Sequence, residues 1–314
     1  MMKRVILLGA GVACLVLVLG SSRPLAAAPR QDARSVHVSV VNEDGVPVSD
    51  LTAADFEVKE GGKTTAITNA TISNVPMRVA LIVADDASGG FQQVMVTLIK
   101  PLIAIAEFKI VSVLTQPETV VDYTNNAELL VAGVEKMGLR GTGQPTTPQI
   151  LEAISENLGT LAQPGKRSVM VVMRMSAGAP SQIRQEVVRE TLRKNGTQLF
   201  ALSPPNVGAG GGGVPMGYGG AGGQARADYA AAESTYRGRN LESVLNDGSK
   251  QSGGRHIYIT GPSVIQDMEK LAQELLSQYQ ITYTLPAGAK PSDRLQVSVK
   301  RRGLKVLAPE RIAN

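Results

Sequence analysis

The 314-residue sequence is 43% apolar and 19% charged, with a formal charge of +5. That apolar fraction can fill a core and excludes wholesale disorder. With no Trp and four Phe, the core has to rest on Val, Ile, Leu, Ala and Met.

At the N-terminus Lys3 and Arg4 precede the apolar run Val5 to Gly20, and "RPLAAAPRQ" then supplies small residues. Charge, apolar stretch and Ala-rich site in that order predict a secretory signal peptide over residues 1–27, cut after Ala27. The run is shorter than the roughly 20 residues of a comfortable membrane span. No membrane span is therefore expected once the signal is gone. Cys14, the one cysteine, lies inside the run. The processed chain would have no disulfide, thiol nucleophile or zinc-thiolate site. Removing residues 1–27 also takes Lys3, Arg4 and Arg23 and no acid, which lowers the charge from +5 to +2. A nucleic-acid partner loses its main support with those charges. The expected location is secreted, periplasmic or cell-envelope.

Residues 35–75 read as an N-terminal β region. "SVHVSVVNEDGVPV" alternates Val36, Val38 and Val40 with polar residues and turns at Asp44-Gly45. "DFEVKEGGKTTAITNATI" repeats the scheme, with Phe56 and Val58 before Gly61-Gly62 and Ile67 and Ile72 after. Period-two alternation around such turns predicts a half-buried antiparallel sheet.

From Met77 the pattern changes. "RVALIVA", "FKIVSVL", "RSVMVVM" and "TQLFAL" are apolar at nearly every position, as suits strands covered on both faces. Helical patterns lie at 91–106, 125–137, 147–161, 181–194 and 263–278, with Pro101 expected to kink or split the first. Strands alternating with helices predict an α/β fold: a doubly wound, mainly parallel sheet with helices on both faces, over residues 77–285. Residues 206–239 interrupt it with a Gly-rich insertion, expected to be a mobile surface segment. "RLQVSVKRRG" and "LKVLA" alternate again, so residues 286–314 read as C-terminal β strands joined to the N-terminal β region. Lys300-Arg301-Arg302 reads as a solvated turn that discourages edge pairing.

The order of elements resembles a secreted bacterial VWFA-related domain protein, of the von Willebrand factor type A domain family. "VHVSVVNEDGVPVSDLTAADFEVKEGGK" is similar to that family's opening β segment, and "LRKNGTQLFAL" to its late helix-to-strand step. "QSGGRHIYI" and "LLSQYQITYTLP" are similar to its closing strands.

The resemblance implies a metal-ion-dependent adhesion site. In such domains the first strand ends in Asp-x-Ser-x-Ser, and a loop Thr and a later Asp complete the oxygen set around Mg²⁺ or Mn²⁺, hard ions that take near-octahedral oxygen ligands. Asp86 and Ser88 match the first two positions, and Gly90 stands at the third without a side-chain oxygen. Thr147 is the candidate loop Thr, with Thr142 as the alternative. Ser176-Ala177-Gly178 stands where the later Asp is expected, so Ala177 occupies the carboxylate position. The metal set Asp86, Ser88 and Thr147 is thus incomplete, and no cofactor is expected unless Mg²⁺ or Mn²⁺ binds this reduced set.

Other signals are weaker. Gly208-x-Gly210-x-x-Gly213 formally matches a dinucleotide fingerprint, but Val214-Pro215 follows where a helix should open. His37 and His256 read as ordinary strand residues, and no Ser/His/Asp order fits a triad spacing. The sequence thus predicts a non-catalytic extracytoplasmic module with a degenerate ion site, binding a protein partner. The alternatives are a metal-dependent hydrolase using Asp86 or a purely structural envelope component.

Overall fold

A computed structural model describes residues 33–84, 90–138, 147–205 and 239–313. The expected signal peptide, the loop 85–89 that carries Asp86 and Ser88, Thr142, and insertion residues 206–238 lie outside the described residues.

The central sheet has six strands in the order β10–β9–β8–β5–β6–β7. They are β5 (Met77–Ala84), β6 (Ala106–Val113), β7 (Pro117–Thr124), β8 (Arg167–Arg174), β9 (Gln198–Ser203) and β10 (Arg255–Tyr258). All pairings are parallel except that of β7 with β6. The helices are α1 (Gln92–Leu102), α2 (Ala127–Gly138), α3 (Ile150–Leu161), α4 (Gln185–Asn195), α5 (239–251) and α6 (Val264–Leu276). Side chains alternate along β5. Val79, Leu81 and Val83 pack with Leu98 of α1, Leu130 of α2 and Leu271 of α6. Ala80, Ile82 and Ala84 pack with Ile154 of α3, Leu192 of α4 and Leu245 of α5. Each face of the sheet is therefore covered by three helices, which is why the four runs are apolar at both parities.

The α/β body departs from the sequence reading in three places. α1 stays helical through Pro101, which sits in its last turn, and ends after Leu102, so the proline does not split the helix. β7 had no sequence-level signal strong enough to mark it. It is an edge strand, so only Val121 of "PETVVDYT" is buried. Arg239, assigned to the insertion, opens α5. Leu241, Val244 and Leu245 give α5 an apolar stripe at i, i+3 and i+4, and a π-turn at Val244–Gly248 interrupts it.

The β region is two small antiparallel sheets around one core. β13 (Leu304–Leu307), β1 (Ala33–Asn42), β11 (Tyr279–Thr284) and β4 (Ala66–Ile72) form the first, in that order. β12 (Leu295–Val299), β2 (Phe56–Glu60) and β3 (Lys63–Thr64) form the second. Val36, Val38, Phe56, Val58, Tyr279, Ile281 and Tyr283 fill the space between them. The strand expected to continue past Gly61-Gly62 divides: β3 stays with β2, whereas β4 crosses to β11. Lys300 and Arg301 are tied to one segment: Lys300 Nζ donates to Ala54 O, and Arg301 Nη1 to both oxygens of Asp50.

The two glycines of "QSGGRHIYI" have separate jobs. Gly253 has φ +81°, and a Cβ there would meet Pro309 N at 2.7 Å. Gly254 lies against the backbone of Leu199, with no room for a Cβ. Gly254→Ala should therefore push β10 off β9 and cost about 1–3 kcal/mol or more. A melt showing less than about 1 °C of change, on a scale of roughly 2–4 °C per kcal/mol, would contradict that packing.

Candidate functional site

Parallel strands deliver their C-terminal ends to one edge, where open α/β sheets bind ligands. Ala84, the last residue of β5, is in register with Arg174, the last of β8. Met175 N donates to Ala84 O at 3.2 Å, which keeps the two strand ends together. The chain after β8 then turns toward α3. There Ala179 N donates to Pro148 O at 2.7 Å, and Gly178 fits against Leu241, Ile150 and Pro148. The stretch before α3 that contains Thr147 is thereby tied to the stretch containing Ser176-Ala177, beside the end of β5. Thr147 and Ala177 are both exposed, and Ala177 presents only a methyl group.

A cation lies buried at the same edge. Arg174 has 0% exposure, and its Nη1 and Nη2 donate to Glu242 Oε1 and Oε2 on α5 at 2.7 and 2.9 Å. This is a two-pronged, charge-assisted pair of the strong kind. Next to it runs a polar chain. Ser203 Oγ, at the end of β9, is 2.7 Å from His256 Nε2, and His256 Nδ1 is 2.7 Å from Asn246 Oδ1. Tyr258 OH also donates to Asn246 Oδ1, at 3.1 Å. Burial, reinforced by nearby Arg174 and opposed by Glu242, brings the His256 pKa down to about 4. The ring is therefore neutral at pH 7, with one nitrogen donating and the other accepting.

Chain spacing does not reveal this Ser–His–Asn contact, because strand order brings the three together. Ser203 is 0% exposed. Its hydroxyl is held in the interior and presents no face to a substrate. Arg174 was equally hidden, since a charge ending an apolar run reads as the point where a strand meets solvent.

No protein-family model matches the chain, and no curated protein matches it. The sheet order, the single antiparallel edge strand and the helices on both faces decide the architecture. The fold is von Willebrand factor type A-like. Similar solved structures include a von Willebrand factor type A protein from Catenulispora acidiphila, at 8% identity and TM-score 0.45, covering 91% of this chain and 75% of that one. The SpRpn10 VWA domain is 10% identical at TM-score 0.37, covering 61% and 93%. A D319A mutant of the PilB minor pilin from Streptococcus sanguinis is 10% identical at TM-score 0.42, covering 65% of this chain. The chain spans 62% of that pilin. Likeness at these levels carries nothing about the site. Among the described residues, no helix of the type A-like fold is long and apolar enough to cross a membrane.

Proposed function

We propose that this protein is a non-catalytic, extracytoplasmic protein-binding module whose ion site is degenerate. The single observation behind the reading is that Ala177, which presents only a methyl group, stands exposed just beyond the paired ends of β5 and β8, where the resemblance implies a metal-ligating carboxylate. Ala177 contributes no oxygen, and Mg²⁺ dehydrates reluctantly for a poor ligand set. On this reading Asp86, Ser88 and Thr147 keep the outline of a metal loop without its full donor set.

Contact with a partner then rests on the surface of that edge. Met175 and Tyr258 are 45% and 54% exposed there, at the ends of β8 and β10. Exposed aromatic and Met side chains are the types enriched in interface centres. The experiment is capture of envelope proteins by the immobilised protein, in Mg²⁺ and in EDTA, with the Met175→Ser and Tyr258→Ser variants alongside. The reading expects the same captured protein in both buffers and at least about fivefold weaker binding by one variant, equivalent to roughly 1 kcal/mol. Capture that requires Mg²⁺, or turnover of a hydrolase substrate lost in Asp86→Ala, would overturn it.

A further inference from the structure

A cavity lies at the opposite edge of the sheet, where β8 and β9 begin and the β region meets the α/β body. It measures about 770 Å³, within the range of small-molecule sites. Its walls come from β1, the starts of β8 and β9, α4, and the chain end at Ile312 and Ala313.

Its chemistry is one-sided. Arg167 and Arg189 line it, and both bond to neutral acceptors only. Arg167 donates to Val75 O, Leu275 O and Gln278 Oε1, and Arg189 donates twice to Gln251 Oε1. Of the two acids in the lining, Glu190 is already held by Arg193 at 2.6 and 2.8 Å, and Glu186 is exposed in the first turn of α4. The lining also holds buried groups without a partner among the described residues. These are Arg167 Nη2, Gln198 Nε2, Thr197 Oγ1 and His37 Nε2. Arg167, Thr197 and Gln198 are 5%, 1% and 5% exposed. Leaving one buried polar group unsatisfied costs about 1–3 kcal/mol, so four such donors just beneath the wall of one cavity are a cost that a side-chain adjustment around a ligand would relieve. All four can donate, and two carboxylate-free guanidiniums stand beside them.

We propose that this cavity binds a small molecule carrying a phosphate or carboxylate group. The anion would accept first from Arg189, and side-chain adjustment would bring the donors of Arg167, Thr197, Gln198 and His37, which lie just beneath the cavity surface, into reach. A guanidinium fork suits two oxygens of one such group. The site is independent of the strand-end surface described above, since it lies at the other end of the strands.

The test is calorimetric titration of the purified protein with pyrophosphate and, separately, citrate, at pH 7 and low salt. The expected result is saturable one-site binding of at least one of them, with a dissociation constant below about 1 mM. The tighter ligand identifies the head group. Arg189→Gln should weaken binding at least about tenfold while leaving the ligand-free melting temperature within about 2 °C, because Arg189 bonds only Gln251. Arg302→Gln, at an exposed turn outside the cavity, should bind as the unaltered protein does. No saturable binding of either probe up to about 10 mM, or equal binding by Arg189→Gln, would overturn the proposal.

Discussion

Glu60→Ala should lower the unfolding free energy by about 3–5 kcal/mol, the usual cost of removing one partner from a buried ion pair. In a chain of this size that is a drop in melting temperature on the order of 10 °C. Glu60 is 3% exposed, at the end of β2. It accepts from Tyr283 OH at 2.7 Å, Arg34 Nη1 at 2.8 Å and Ser292 N at 2.8 Å. The three donors come from β11, β1 and the approach to β12, so this one carboxylate joins both small sheets. Alanine would leave a buried tyrosine hydroxyl, a half-buried guanidinium and a backbone amide without their acceptor. Glu60→Gln keeps an acceptor and the shape, and should cost clearly less. If both variants melt within about 2 °C of the unaltered protein, the carboxylate does not join the sheets.

Acid should destabilise the protein between pH 6.5 and about 4, in a window set by histidine. Burial, reinforced by nearby Arg167, holds the His37 pKa down at about 4. In the unfolded chain the same ring titrates near 6.5. Below that pH the unfolded state takes up a proton that the folded state refuses. The stability is therefore full above about pH 6.5 and falls until the folded ring also titrates near 4. A difference of that size corresponds to about 3 kcal/mol from His37 alone. His256 acts in the same direction from a more exposed position. Glu274, whose pKa is raised by burial, acts in the opposite one. Denaturant unfolding of the unaltered protein and His37→Gln across pH 7 to 4 isolates the term, in bis-tris and piperazine so that no buffer anion enters the cavity. His37→Gln should lose clearly less stability over that range. Parallel curves would mean that the ring is not held neutral.

What the sequence showed plainly was whatever a local period can carry. Val36, Val38 and Val40 alternate because one face of β1 meets a core. Val79 to Ala84 do not alternate, because both faces of β5 do. Phe56, Val58 and Glu60 share that same period of two, so the inward position of Glu60 was readable from its register. β7 was not readable, because an edge strand buries too little to impose a pattern. α5 has a helical stripe in Leu241, Val244 and Leu245, obscured by the Gly-rich run before it. The site divides in the same way. Asp86, Ser88, Gly90 and Ala177 belong to local motifs and could be weighed from the sequence. Arg174 with Glu242, Ser203 with His256, and the Arg167–Gln278 contact exist only through the pairing of distant strands and helices.

The most direct measurement is a thermal melt of the unaltered protein with and without Mg²⁺ or Mn²⁺ at millimolar concentration. An ion present at a hundred times its dissociation constant would add about 2.7 kcal/mol, several degrees in a protein of this size. With Ala177 supplying no side-chain oxygen where the resemblance implies a carboxylate, the melting temperature should not move. A metal-dependent rise of several degrees that Asp86→Ala abolishes would show that the loop after β5 holds an ion and that the module binds through it.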